Sequence, residues 1–133
     1  MSSTMTTIPL ADTSVWIDAL RYGRTPLPSM TEHDEPIGFT EPVLMELLSG
    51  CRNELESRAL RSLLMRGRLL GFDSAADFDG AADIYRYAQR RGLTPNSHVD
   101  CMIIAVAARH GAPLMTLDSR QAVIAEIFGV RVI

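Results

Sequence analysis

Short apolar runs that stop at a polar or acidic residue alternate along this chain with stretches in which apolar residues recur every three or four positions. That alternation predicts strands separated by amphipathic helices. Residues 8–11 form the first run and end at Asp12. Thr13 or Ser14 then caps a helix that turns Val15, Trp16, Ala19 and Leu20 inward and fades near Tyr22 and Gly23. Residues 24–36, with three prolines, read as a loop. Thr40, Glu41 and Pro42 combine a capping hydroxyl, an acid suited to a helix dipole and a proline at a first-turn position. The helix they start presents Val43, Leu44, Leu47 and Leu48.

Asn53 with Glu56 starts the next helix, whose Leu55, Ala59, Leu60, Leu63 and Leu64 point inward until Gly67 stops it. Residues 69–72 are a candidate strand. Ser74 and Asp77 resemble a capping box, and Phe78, Ala82, Tyr85 and Ala88 follow at helical spacing as far as Gly92. The stretch 98–110 is apolar nearly all round and too long for a strand, so it predicts a buried helix with Gly111 as its stop. Residues 113–117 repeat the strand-then-acid pattern at Asp118. A helix carrying Val123, Ile124, Ile127 and Phe128 leads to a last strand at 130–132.

The predicted fold is α/β: a mostly parallel sheet of four to five strands with helices on both faces. One domain is expected over residues 1–133, with residues 1–7 as a flexible N-terminal extension. Open parallel sheets bind ligands beyond the carboxyl ends of their strands, and Asp12 and Asp118 both fall there.

Composition changes this picture little. With 133 residues, 47% of them apolar, the chain can bury a core without staples. Its longest apolar run, 102–108, falls well short of the roughly 20 residues that cross a bilayer, and the N-terminus is polar, so the chain reads as soluble and cytoplasmic. Cys51 and Cys101 are expected to be reduced packing residues. A net charge of −3 is unusual for a nucleic-acid binder. Setting aside four carboxylates for metal makes the remainder slightly positive. Every basic residue apart from histidine is arginine, which genome composition alone can produce, and five arginines between Arg52 and Arg68 form a local basic surface.

Asp12, Glu46, Asp100 and Asp118 differ from the other acids because each is flanked by apolar residues, whereas Glu54, Asp77 and Asp83 lie on faces expected to be exposed. Carboxylates crowded in a partly dry cleft either neutralise or hold a cation. Oxygen donors without histidine–cysteine spacing suit Mg²⁺ or Mn²⁺ rather than zinc. Such a cluster supports phosphodiester hydrolysis, in which a metal activates water and no nucleophilic side chain is needed.

The strings Asp12-Thr13-Ser14-Val15-Trp16-Ile17, Glu46-Leu47-Leu48 with Gly50, Asp100-Cys101-Met102-Ile103-Ile104-Ala105 and Thr116-Leu117-Asp118 stand in an order and spacing that resemble the PIN domain of the VapC family over essentially the whole chain. The resemblance implies that Asp12 and Asp100 are the principal metal ligands and that Glu46 and Asp118 complete a catalytic acidic pocket. Thr13 or Ser14 would support them. It further implies Mg²⁺- or Mn²⁺-dependent endonuclease action on RNA, a homodimer, and inhibition by a small VapB-type antitoxin. An exposed apolar groove among the helices of residues 42–68 would be the natural docking place. Family members often follow the fourth acid with another acid or amide and an aromatic. Here Ser119, Arg120 and Gln121 follow, so one metal or two stays open, and Arg120 neutralises Asp118, holds phosphate or faces solvent.

Each acid also has a plainer role. Ser97 and Asp100 fit a capping pattern, Asp12 and Asp118 can cap the helices after them, and Glu46 can sit at the solvent edge of its helix. Their joint occurrence favours metal. His33, His98 and His110 show no metal spacing and read as surface or helix-end residues, His98 lying nearest the site. Trp16 reads as core, and Tyr85 and Tyr87 as packing and surface. Two alternatives compete: another acid-cluster phosphohydrolase, disfavoured by the absence of lysine and of a second acid at Ser14, and a PIN-fold binding protein with weakened catalysis.

Overall fold

The computed structural model describes residues 6–22 and 36–133, apart from the side chain of Tyr22. In order, the elements are β1 (Leu10–Ala11), α1 (Thr13–Ile17) running on as a π-helical turn over Asp18–Tyr22, β2 (Gly38–Phe39), α2 (Glu41–Ser49), α3 (Glu54–Leu64), β3 (Arg68–Leu69), α4 (Ser74–Arg90), α5 (His98–His110), β4 (Leu114–Met115) and α6 (Ser119–Ile127). The four strands form one parallel sheet in the order β3-β2-β1-β4, with helices α1 to α6 flanking it. The expected fifth strand at 130–132 is reduced to a single parallel bridge between Leu114 and Val132. Strands predicted at 8–11 and 113–117 are trimmed to two residues each, and the one predicted at 69–72 is displaced to Arg68–Leu69, because only those positions find ladder partners.

The core lies where the sheet meets α5. Leu10, Ile37 and Leu114 from the strands and their edges, and Ile103, Ile104, Val106 and Ala107 from α5, are fully buried, as is Trp16. Helix α5 packs against both α4 and α2. It is apolar on nearly every face because it is covered on nearly every face. Gly111, at φ 67°, ends it in the left-handed conformation that glycine adopts without strain. Gly67 has a different reason from the one expected: α3 already ends at Leu64, and a side chain at 67 would collide with the carbonyl of Ile37 where β2 passes.

Several local expectations are corrected. Asp12, not Thr13 or Ser14, caps α1, accepting from the Val15 N–H. Thr40 stands at the cap position of α2 without a side-chain capping bond. The cap of α4 is Asp73, one residue before Ser74. Packed against α5, the helix buries Asp77, Ala81, Ile84 and Ala88 and leaves Phe78 exposed. Asp77, expected on an exposed face, is 2% exposed and takes a bidentate ion pair from Arg109 at 2.9 and 2.8 Å. On α3 only Leu64 is fully inside, Leu55 is 77% exposed, and Leu60 and Leu63 border a surface hollow. Leu20, Val123 and Ile127, expected inside, are exposed too. Thr6, assigned to a flexible extension, donates its N–H to the carbonyl of His110 at 3.1 Å. Residues 1–5, the loop residues 23–35 and His33 lie outside the described residues.

A candidate acidic site at the strand ends

The four singled-out acids arrive from four different elements. Asp12 follows β1, Glu46 lies on α2, Asp100 is in the first turn of α5 and Asp118 follows β4. A parallel sheet sends β1 and β4 to the same edge, and helices α2 and α5 pack together beside it. Their charges are felt mutually. Burial is the main reason that the Asp100 carboxyl is pushed up to about 6, and the charges of Glu46, Asp118 and Asp12 add to it. Asp12, 4% exposed, is also raised by burial, against hydrogen bonds from Ser14, Thr116 and the Val15 N–H.

Each acid is tethered to its own surroundings. The Ser14 hydroxyl donates to Asp12 Oδ1 at 2.6 Å and accepts the Leu117 N–H at 3.0 Å, tying the β1 and β4 ends together. Thr13 Oγ1 donates to Glu46 Oε1 at 2.5 Å. Ser97 caps α5 by accepting the Asp100 N–H at 3.1 Å. Asp118 caps α6 through Oδ1, which accepts from the N–H groups of Arg120 and Gln121 at 2.9 and 3.2 Å. Capping and membership of the acidic site therefore coexist in Asp12 and Asp118. Among the described residues, no three His, Cys, Asp or Glu side chains stand together as a finished metal cage. The carboxylates of Asp12, Glu46 and Asp118 are each turned toward donors of their own.

The donor set nonetheless suits a hard divalent cation, being all oxygen, with charge on Asp100 that no neighbouring cation among the described residues offsets. Arg120 does not offset it, because its guanidinium donates to the carbonyl of Thr94 at 2.7 Å. Burial, with the nearby Asp100 charge, pushes the Cys101 thiol up to about 12, so no thiolate nucleophile is available there. Cys51 is also a free thiol. His98 stacks on Tyr85 with ring centroids 4.4 Å apart instead of reaching toward the acids. His110 lies at the opposite end of α5, against the carbonyl of Gly71.

Three contributors escaped the sequence reading. Asn96 donates to Asp118 Oδ2 at 2.7 Å. Thr116 Oγ1 accepts the Asp118 N–H at 3.0 Å and also bonds Asp12. Gln121, 2% exposed, donates to the carbonyl of Asp100 at 2.9 Å. Thr116 stood inside a noticed motif, but Asn96 and Gln121 meet their partners across 22 and 21 residues, where no spacing rule reaches.

Beside the acids, an open hollow of about 610 Å³ runs from Glu46 between the end of α1 and helices α2 and α3, floored by Ile17, Leu20, Leu47, Leu60 and Leu63. Among the described residues, no helix is long and apolar enough to cross a membrane.

Comparison with known proteins bears on this arrangement. The PIN domain family profile matches residues 10–127. A VapC ribonuclease of Mycobacterium bovis and ribonuclease VapC11 of Mycobacterium tuberculosis are each 37% identical over 123 residues, covering 89% of this chain and 92% of theirs. Among solved structures, DNA-bound VapBC from Salmonella typhimurium superposes with TM-score 0.71 at 21% identity, over 96% of this chain and 98% of that one. VapBC-1 from nontypeable Haemophilus influenzae gives TM-score 0.73 at 18% identity, over 96% and 97%.

Proposed function

The chain belongs to the PIN-domain family, among the VapC ribonucleases, and from that membership we propose that it is a metal-dependent endoribonuclease, the toxin of a type II toxin–antitoxin pair. The observation that carries the reading is the Asp100 carboxyl, half-buried at the start of α5 and under the charge of three further acids with no cation among the described residues to balance them. An uncompensated acidic pocket costs stability, and a site for Mg²⁺ or Mn²⁺ is the economical reason to keep one.

Asp12 and Asp100 are the residues to hold the cation, with Glu46 and Asp118 completing the pocket. When bound, the cation supplies the charge that lowers the pKa of a water and steadies the scissile phosphate. The chain's own groups do the rest. Thr13 and Ser14 fix the rotamers of Glu46 and Asp12 through their hydroxyls, and Ser97 and Gln121 fix the backbone from which Asp100 projects. The substrate is RNA in the cytoplasm. A splayed single strand suits a pocket open at a sheet edge better than a regular helix does.

A VapB-type antitoxin is the proposed partner, and a homodimer the proposed assembly. The hollow that starts at Glu46 has the apolar floor on which an antitoxin's amphipathic segment would sit, and a segment seated there would also cover the acids. The deciding experiment is cleavage of labelled total RNA by wild type and Asp100→Asn with Mg²⁺, Mn²⁺ or chelator. Discrete products that require both metal and Asp100 are expected. A folded, inhibitor-free wild type that cleaves nothing would replace this reading with a non-catalytic binding protein.

A further inference from the structure

Asp118 is held from three sides. Its Oδ1 takes the two N–H groups at the head of α6, and its Oδ2 takes the Asn96 amide at 2.7 Å. Asn96 stands on the α4–α5 connection, immediately before Ser97, the cap of α5. That connection is pinned to α6 a second time by the Arg120 guanidinium on the Thr94 carbonyl. Gln121 then reaches the Asp100 carbonyl from the first turn of the same helix. The heads of α5 and α6, each carrying one acid, are thus cross-linked by three side chains that come from neither acid.

We propose that Asn96 is a positioning residue of the acidic site: its amide turns Asp118 so that the remaining lone pair of Oδ2 faces the pocket. The inference rests on the metal-site reading above. An amide suits the task because it donates without adding charge, so it fixes the carboxylate and leaves its attraction for a cation intact. An arginine there would fix Asp118 equally well and cancel its charge. Oδ1 cannot take over, since both its lone pairs are spent on α6.

The test is a double-mutant cycle on the full chain, read by calorimetric titration with Mn²⁺ alone. Asn96→Ala is expected to weaken binding about fivefold and Asp118→Ala more, with the pair no worse than Asp118→Ala. Losses that add, or an Asn96→Ala protein that binds like wild type, overturn the proposal. If Asp118→Ala melts early through loss of its cap, Asp118→Asn, which keeps an oxygen at the head of α6, takes its place in the cycle. A second readout needs neither metal nor RNA: the NMR signals of the Asn96 side-chain amide should move on Asp118→Ala in the cation-free protein, and unmoved signals overturn the contact. Wild type that neither binds Mn²⁺ nor cleaves RNA, with the amide signals still coupled, sinks the metal-nuclease reading and not the Asn96–Asp118 link.

Discussion

Asp77 and Asp100 are carboxylates in the first turns of the two helices that pack most closely, α4 and α5, yet the protein treats them oppositely. For Asp77, burial alone would raise the carboxyl. The Arg109 guanidinium and the Asp73 N–H outweigh it and hold the group below its usual range. Arg109 also donates to the Gly71 carbonyl, so the pair locks the chain entering α4 to the end of α5. Asp100 has no such partner among the described residues and feels three like charges. At Asp77 the charge is answered within the protein, which gives stability; at Asp100 it is left unanswered, which gives chemistry. The same side chain in the first turn of a helix becomes a clamp or a site according to what the neighbouring elements bring to it.

The sharpest way to break this contrast is Asp100→Asn. RNA cleavage should fall by at least about a hundredfold, while the metal-free protein melts no lower than wild type because a repulsion between half-buried carboxylates has been removed. A mutant that unfolds would show that Asp100 serves the fold instead. Arg109→Ala should do the reverse, costing about 2–3 kcal/mol by leaving Asp77 buried and unpaired, a value reduced for the partial exposure of Arg109. Denaturant unfolding reads that loss, and cleavage well below the melting point should survive it. Asp118→Asn should reduce cleavage only about tenfold, since Oδ1 is committed to α6 and only one lone pair of Oδ2 is left for the cation. An equally complete loss to that of Asp100→Asn would make it a full ligand.

The smallest effect is on pH dependence, and here the two acids have opposite signs. The Asp100 carboxyl is raised from 3.8 to about 6, so its contribution to metal-free stability is present at low pH and lost as pH rises through about 6. Asp77 is depressed, so its contribution is present above its ordinary 3.8 and lost as pH falls below that value. Melting curves against pH should therefore differ between wild type and Asp100→Asn chiefly between 3.8 and about 6, with the mutant losing less stability as pH rises. Parallel curves would mean that Asp100 carries no unbalanced charge.

The sequence by itself determined the succession of helices and the strands at β1 and β4, though not β2, together with the buried nature of α5 and the acids that close β1 and β4. These are read from patterns no longer than one element: an apolar run that stops at an acid, a 3.6-residue stripe, a serine three residues before an aspartate. Even the rival explanations of Asp12 and Asp118 were legible, since both do cap helices. Tertiary structure alone decided which side of α4 lies inside, because α5 packs there and its Arg109 pairs with Asp77, which is buried while Phe78 is left exposed. It decided that the leucines of α3 border an open hollow rather than the core. It also decided that Asn96 meets Asp118 and Arg109 meets Asp77, across 22 and 32 residues. A stripe records how apolar a face is and not what will cover it. An amide or a guanidinium carries no mark of a partner that only the packing of α4, α5 and α6 brings within reach.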